Sequence, residues 1–177
     1  DLQRWFASLS YSLSSTRARS TGFDAETFGS PLERGWARSS LDARHQIMVQ
    51  GGLTARHLTF TMFGRVQSGL PFTPIVGSDV NGDGLINDQA FIYDPTRTSD
   101  VTLANGMRAL LRGAQPATRS CLERQLGGPA ARNSCEGPWT AMLNAQIMYQ
   151  GKLPFTRWGS VVLFFTNPLG GLDQLVQ

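Results

Sequence analysis

The sequence predicts an all-β chain of antiparallel, up-and-down strands tall enough to cross a bilayer. Three observations predict it. Apolar and polar residues alternate with period two through five segments, most of them near ten residues long. The polar faces of those segments carry Ser, Thr, Gln and Asn rather than Lys and Glu. The connections between the segments run long, short, long, short.

The first segment sets Trp5, Ala7, Leu9, Tyr11 and Leu13 against Phe6, Ser8, Ser10, Ser12 and Ser14. The second sets Ile47, Val49, Gly51 and Leu53 against Gln46, Met48, Gln50 and Gly52. In the third, Leu58, Phe60, Met62, Gly64 and Val66 oppose Thr59, Thr61, Phe63, Arg65 and Gln67. The fourth opposes Ala141, Leu143, Ala145, Ile147 and Tyr149 to Thr140, Met142, Asn144, Gln146, Met148 and Gln150. The fifth, Trp158 to Asn167, is apolar on both faces. Strands are therefore expected near residues 5–16, 44–53, 58–67, 139–150 and 158–167, in one body over 1–177.

Soluble strands average about five or six residues, whereas a tilted membrane-crossing strand needs about 9–11. Uncharged polar residues on one face and apolar residues on the other match a wet barrel interior and a lipid-facing wall. Short turns join the second segment to the third and the fourth to the fifth, while long loops span 18–43 and 68–138. In an up-and-down barrel alternate connections share a rim, so both long loops fall on one side, as in the external loops of outer-membrane barrels. Trp5, Trp139, Tyr149 and Trp158 sit near segment ends, where an interfacial girdle would place them. Five strands cannot close a bilayer-sized barrel, since the smallest bacterial ones have eight. The expectation is a partial barrel: a piece of a larger one, or a sheet that buries its apolar face elsewhere.

Composition excludes other classes. The 177 residues are 41% hydrophobic and 16% charged, below the roughly 25% charged fraction of soluble globular chains. No run of about 18 apolar residues exists for a membrane helix. The net charge of +3 is carried almost wholly by scattered Arg, with Lys152 the single lysine, so no basic stripe for nucleic acid forms. A mild basic excess of this kind reads first as a solvated surface, and an Arg-rich outer surface could also meet anionic headgroups. The chain begins at Asp1 without a leader, as expected of a processed chain or a piece of a longer one.

Cys121 and Cys135, the only cysteines, read as one disulfide and hence an oxidising compartment. A zinc site would need two further ligands, and His45 and His57 lie far away in sequence. Val101 to Arg112 and Pro116 to Leu126 have helical character. Asp79, Asn81 and Asp83, followed by Gly84, match the first half of an EF-hand-type Ca²⁺ loop, with the Leu85 carbonyl at position 7 and Asn87 at position 9. Position 12 is Ala90 instead of Glu, and Asp88 or Asp94 would have to supply the carboxylate. A loop rich in Asn, Asp and Gly because it must turn is the other reading of the same residues. No nucleophile–base–acid set stands out. His45 and His57 read as interfacial or hydrogen-bonded residues, Glu26, Glu33 and Asp42 as loop carboxylates, and Gly127-Gly128-Pro129 as a turn. The expected function is not enzymatic.

Three runs in order resemble a family. Ser68-Gly69-Leu70-Pro71-Phe72-Thr73-Pro74, then Asp79-Val80-Asn81-Gly82-Asp83-Gly84, then Asn87-Asp88-Gln89-Ala90-Phe91 resemble the late barrel of Oar-like TonB-dependent outer-membrane receptors. Trp36 to Gln46 resembles that family's lead into a strand, and Asn167 to Leu175 a later segment. The resemblance implies a barrel of about twenty-two strands around an amino-terminal plug, moving large or scarce cargo, with protein or peptide cargo in Oar-like members. It implies outer-membrane lipid and the remaining barrel as partners, and TonB only through parts absent from this chain. The alternative is a β-rich accessory or structural subunit of a membrane-associated assembly, with a calcium-stiffened, disulfide-pinned lobe for protein contact.

Overall fold

A computed structural model describes residues 4–168 and residue 170. Of the Asn167 to Leu175 run, Leu169 and residues 171–175 lie outside the described residues. In order the strands are β1 (Arg4–Leu13), β2 (Arg17–Ser20), β3 (Gly35–Arg38), β4 (His45–Ala55), β5 (Leu58–Gln67), β6 (Pro71–Phe72), β7 (Phe91–Ile92), β8 (Gly128–Pro129), β9 (Cys135–Glu136), β10 (Thr140–Leu153) and β11 (Thr156–Thr166). Helices α1 (Val101–Gly113) and α2 (Pro116–Glu123) fall between β7 and β8. The chain is mostly antiparallel β-structure, and its contacts divide it into two compact units.

The first unit is the five-stranded antiparallel sheet β1-β4-β5-β10-β11. Its strands have 10, 11, 10, 14 and 11 residues. The sheet is open among the described residues, with β1 and β11 each paired on one side. Leu13 pairs with His45, Gln46 with Gln67 and Gln67 with Thr140, so the ends that carry both long connections lie together. At the other end two-residue turns, Arg56-His57 and Pro154-Phe155, close the hairpins. Both turns are shorter than the sequence indicates, because cross-strand pairing carries β4 on to Ala55 and β10 on to Leu153. Arg56 adopts φ +50°, in the left-handed region that so tight a turn requires. At Gly151 a bulge shifts the β10–β11 register, and the Tyr149 hydroxyl lies where a Cβ on residue 151 would stand, 2.6 Å away.

β1 ends at Leu13, earlier than the expected residue 16. There the chain leaves the ladder: the Ser14 hydroxyl donates to the Ala43 carbonyl at 2.9 Å and the Thr16 amide to Asp42 Oδ1 at 2.9 Å.

The second unit is built from two separate segments, Ser14–Ala43 and Gly69–Pro138. It contains the paired strands β2 and β3, which are too short for an alternation to show. Ile92, Leu122 and Ala130 form its buried core, with Ala90, Met107, Leu111 and Leu126 packed against them. α1 starts where Asp100 accepts from the amides of Thr102 and Leu103, at 2.8 and 3.1 Å. Pro116 opens α2 at its first turn. Arg119 of α2 donates to the carbonyls of Arg112 and Ala114, at 3.0 and 3.1 Å, and so caps α1.

The two ends of the Gly69–Pro138 segment meet closely at Gly69, where a Cβ would stand 1.8 Å from the Gly137 carbonyl oxygen. Neither backbone can move without breaking the Gly137 amide bond to Leu70 and the β6–β9 pairing. Gly69→Ala is therefore expected to destabilise this unit by about 2 kcal/mol or more. Gly77→Ala, with nothing within 4 Å, is expected to be neutral. Amide hydrogen exchange of residues 69–74 and 133–138 in the two variants checks this.

Candidate functional site

The sheet's register assembles a face. Directly opposed residues of neighbouring strands point the same way. One row runs Trp5, Leu53, Phe60, Ile147 and Leu163. The next runs Ala7, Gly51, Met62, Ala145 and Phe165. Beyond them come Leu9, Val49, Gly64 and Leu143, then Tyr11, Ile47, Val66 and Ala141. Towards the turns lie Ala55, Leu58, Tyr149 and Val161. This apolar face crosses all five strands without interruption, and it is uncovered: Trp5 is 75% exposed, Leu9 73% and Leu163 55%.

Aromatic clusters bracket it. At the end of the long connections, the Tyr11 hydroxyl meets His45 Nδ1 at 2.9 Å, and the His45 ring stacks on Tyr11 and Trp139. At the turn end, His57 packs against Tyr149 and Trp158. The rows that carry Tyr11 and Tyr149 cross β5 at Val66 and Leu58. The eight steps from Leu58 to Val66 span roughly 26 Å along the strand at about 3.3 Å each. His45 thus serves as an aromatic and hydrogen-bond partner, and His57 as an aromatic one.

The opposite face carries Ser8, Gln50, Phe63, Asn144 and Thr166 in one row and Phe6, Gly52, Thr61, Gln146 and Phe164 in the next. These two rows line a hollow of about 390 Å³. The Phe6 ring lies over Gly52, its Cε1 2.4 Å from where a Cβ would stand. Aromatic rings therefore join the amides and hydroxyls on this wetted face.

In the second unit, Cys121 of α2 and Cys135 of β9 form a disulfide, as their spacing indicates. The residues expected to hold calcium gather in one turn. Asp79 accepts from the amides of Gly82, Asp83 and Gly84, and Asn81 Oδ1 from that of Asp83. Asp83 accepts from the Leu85 amide and the Asn81 side chain. Asp88 is buried and accepts from the Val80 amide at 2.6 Å. Asn87 does something the spacing does not reveal: its amide donates to the carbonyls of Gly22 and Ala25, in the other segment. Among the described residues no three His, Cys, Asp or Glu side chains form a metal cage. The turn is held by its own hydrogen bonds, with Gly82 and Gly84 at φ +78° and +88°.

A charged cluster escaped the sequence reading. Arg38 Nε bonds the buried Asp42 carboxylate at 2.6 Å, and Arg38 Nη1 pairs with Glu136. Asn133 donates to the Arg38 carbonyl at 2.7 Å, and Arg132 donates to carbonyls of Gly35, Ser20 and Ala18. Burial works against the Arg38 charge, but Asp42 and Glu136 more than offset it and hold its pKa above the ordinary arginine value. The signal for the first pair was the four-residue spacing of Arg38 and Asp42 inside the Trp36 to Gln46 run. Nothing local marks Glu136. Asp94, the other carboxylate considered for the calcium-type turn, is engaged by Thr96 and Arg97. The Thr96 hydroxyl and amide bond its carboxylate and lower its pKa. Its contribution to stability is thus present at neutral pH and lost as pH falls through that lowered value.

Comparison with family models, curated proteins and solved structures finds no match to the chain.

Arg38→Met removes the cation that neutralises a buried carboxylate and is expected to cost the second unit about 3–5 kcal/mol. Replacing both cysteines by Ser is expected to cost about 3 kcal/mol, from the closed loop of about fifteen residues. Limited proteolysis within residues 93–138 reads both losses.

Proposed function

We propose that the five-stranded sheet is part of the wall of an outer-membrane β-barrel, its apolar face against lipid and its polar face lining the interior. The observation that carries this reading is the uninterrupted, uncovered apolar face, bracketed by aromatic clusters roughly 26 Å apart. At the strand tilt of about 35–45° found in such barrels that length rises about 18–21 Å, most of their apolar band of about 25 Å. Strands of 10 to 14 residues have the required length. The hollow lies on the polar side, as it would in a lumen. The open edges of β1 and β11 would be intolerable in lipid and call for further strands.

In this reading the chain is a segment of a TonB-dependent transporter or receptor that moves large or scarce cargo into or across the outer membrane. The ordered runs from Ser68 to Phe91 support that choice among outer-membrane barrels. The second unit is then the external lobe, in an oxidising compartment that suits its disulfide. Its partners are lipid, the rest of the barrel, and TonB through parts outside this chain. The role is binding and transport, without catalysis and without nucleic acid.

Calcium belongs to the same reading as a stiffener of the lobe. Asp79, Asn81 and Asp83 converge on one turn with Leu85, Asn87 and Asp88, and carboxylate oxygens that accept one amide bond retain a lone pair. Millimolar Ca²⁺ is expected to slow protease cleavage within residues 76–90, and Asp83→Ala is expected to abolish that protection. Equal cleavage with and without Ca²⁺ would remove the ion from the account.

The membrane placement is tested with vesicles of brominated lipid, which quench tryptophans in contact with acyl chains. Quenching of Trp5 is expected. Met62→Arg, midway between the aromatic clusters on the apolar face, is expected to weaken insertion by about 2–4 kcal/mol. Gln50→Arg, on the opposite face, is expected to cost less than about 1 kcal/mol. Equal effects, or an unquenched wild type, would overturn the reading.

A further inference from the structure

The second unit contains a hollow of about 300 Å³ that neither the disulfide nor the calcium-type turn uses. Its lining includes Glu26, Glu33, Phe28, Trp36, Gln89 and Arg132. Phe28 and Trp36 are 55% and 63% exposed, so two large aromatic side chains of the lining keep more than half of their surface open. The carboxylates of Glu26 and Glu33 make no ion pair or hydrogen bond among the described residues. Arg132, the cation in the lining, directs its guanidinium to the carbonyls of Gly35, Ser20 and Ala18. It is therefore engaged with the backbone of the β2–β3 hairpin and does not bridge either glutamate.

The lining is held in place by this folding unit. Trp36 sits on β3, paired opposite Arg19 of β2. Glu26 is fixed through its own carbonyl, which accepts from the Gln89 side chain at 3.3 Å. Thr27 pairs with both neighbours of Asp88: its amide donates to the Asn87 carbonyl at 3.3 Å and its carbonyl accepts from the Gln89 amide at 2.8 Å. Gly22 supplies part of the wall, where a Cβ would stand 2.6 Å from Pro31 Cα. Two carboxylates without counter-ions and two exposed aromatic faces share one complementary ligand, an organic cation. The ring quadrupoles attract its charge and the carboxylates neutralise it. The volume is at the lower end of small-molecule pockets and admits a group the size of one long side chain.

We infer that this hollow binds a guanidinium or ammonium group presented on a flexible aliphatic stem, as an arginine or lysine side chain of a peptide presents it. In a chain of net charge +3 the lining of this hollow carries two carboxylates against the one guanidinium of Arg132. That balance favours a basic group over a neutral or acidic one. The inference uses only residues of the second unit and stands whether or not the sheet lies in a membrane.

The test is calorimetric titration of the full chain in detergent with N-acetyl-arginine amide. N-acetyl-citrulline amide, the neutral near-isostere, is the control, and tryptophan emission is followed in parallel. Saturable binding of the arginine compound is expected, at least ten-fold tighter than citrulline and weakened by salt. The emission change is expected to vanish in Trp36→Leu, and affinity to fall ten-fold or more in Glu26→Gln/Glu33→Gln. Unchanged circular dichroism and protease resistance in that double variant keep the loss assignable to the site. Equal binding of arginine and citrulline, no saturable binding, or undiminished affinity in a folded double variant would each overturn the inference.

Discussion

Register is the constraint on which the sheet depends. Side chains alternate with a period of two, so slipping any one strand by a single residue would send its apolar set to the wet face. The pairing leaves no such fault from β1 to β11 over the rows that cross the middle of the sheet. Two tight turns set it for the hairpins, and a bulge beside Gly151 absorbs the one irregularity near an end. The long connections cannot fix register by their length. For β1 against β4 and β5 against β10 it must come from the faces themselves, through matched rows such as Leu9 with Val49 and Gly64 with Leu143.

A face of this kind needs a cover. At about 25 cal/mol per Å² of apolar surface, leaving rows of Trp, Leu, Phe and Val in water costs several kcal/mol per strand. A second layer of protein would supply the cover in a soluble sandwich, and the outer face would then meet solvent and favour charged side chains. Arg65 and Arg4 are the only charged residues in the wet rows of β1, β4, β5 and β10 between the bulge and the long connections. The remainder are hydroxyls, amides, glycine, methionine and phenylalanine. Uncharged wetted residues on one side and a bracketed apolar band on the other fit a barrel wall better than half of a sandwich.

Period-two alternation made the five long strands legible, and the near-terminal aromatics marked where they end. Strand limits differ from the expected ones by up to three residues because they are decided by what the neighbour offers. β10 continues past Gln150 since β11 remains there to pair, and β1 stops at Leu13 since Asp42 and Ala43 recruit the next residues. Both helices showed through Leu103, Met107, Leu110 and Leu111 and through Pro116. The β2–β3 pair did not, because four residues carry too little alternation to be read. Arg38 with Glu136 was invisible for another reason: the partners lie 98 residues apart and only the fold joins them. The disulfide was legible because two cysteines allow one pairing.

Much of what makes the chain resemble a receptor family proves to be joinery. Ser68 closes the ladder beside His45, Gly69 lets two backbones meet, and Thr73 fixes Asn133. Asn87 and Gln89 reach across to the segment of Gly22 to Glu26. These residues tie together two excursions of the chain that share no sequence neighbourhood, and loop closure over such lengths makes each tie worth retaining. A motif with that task reports on architecture more than on cargo. Under the proposed function, selectivity would lie in side chains the joinery leaves free, and in this unit Trp36, Phe28, Glu26 and Glu33 line a hollow without being part of it.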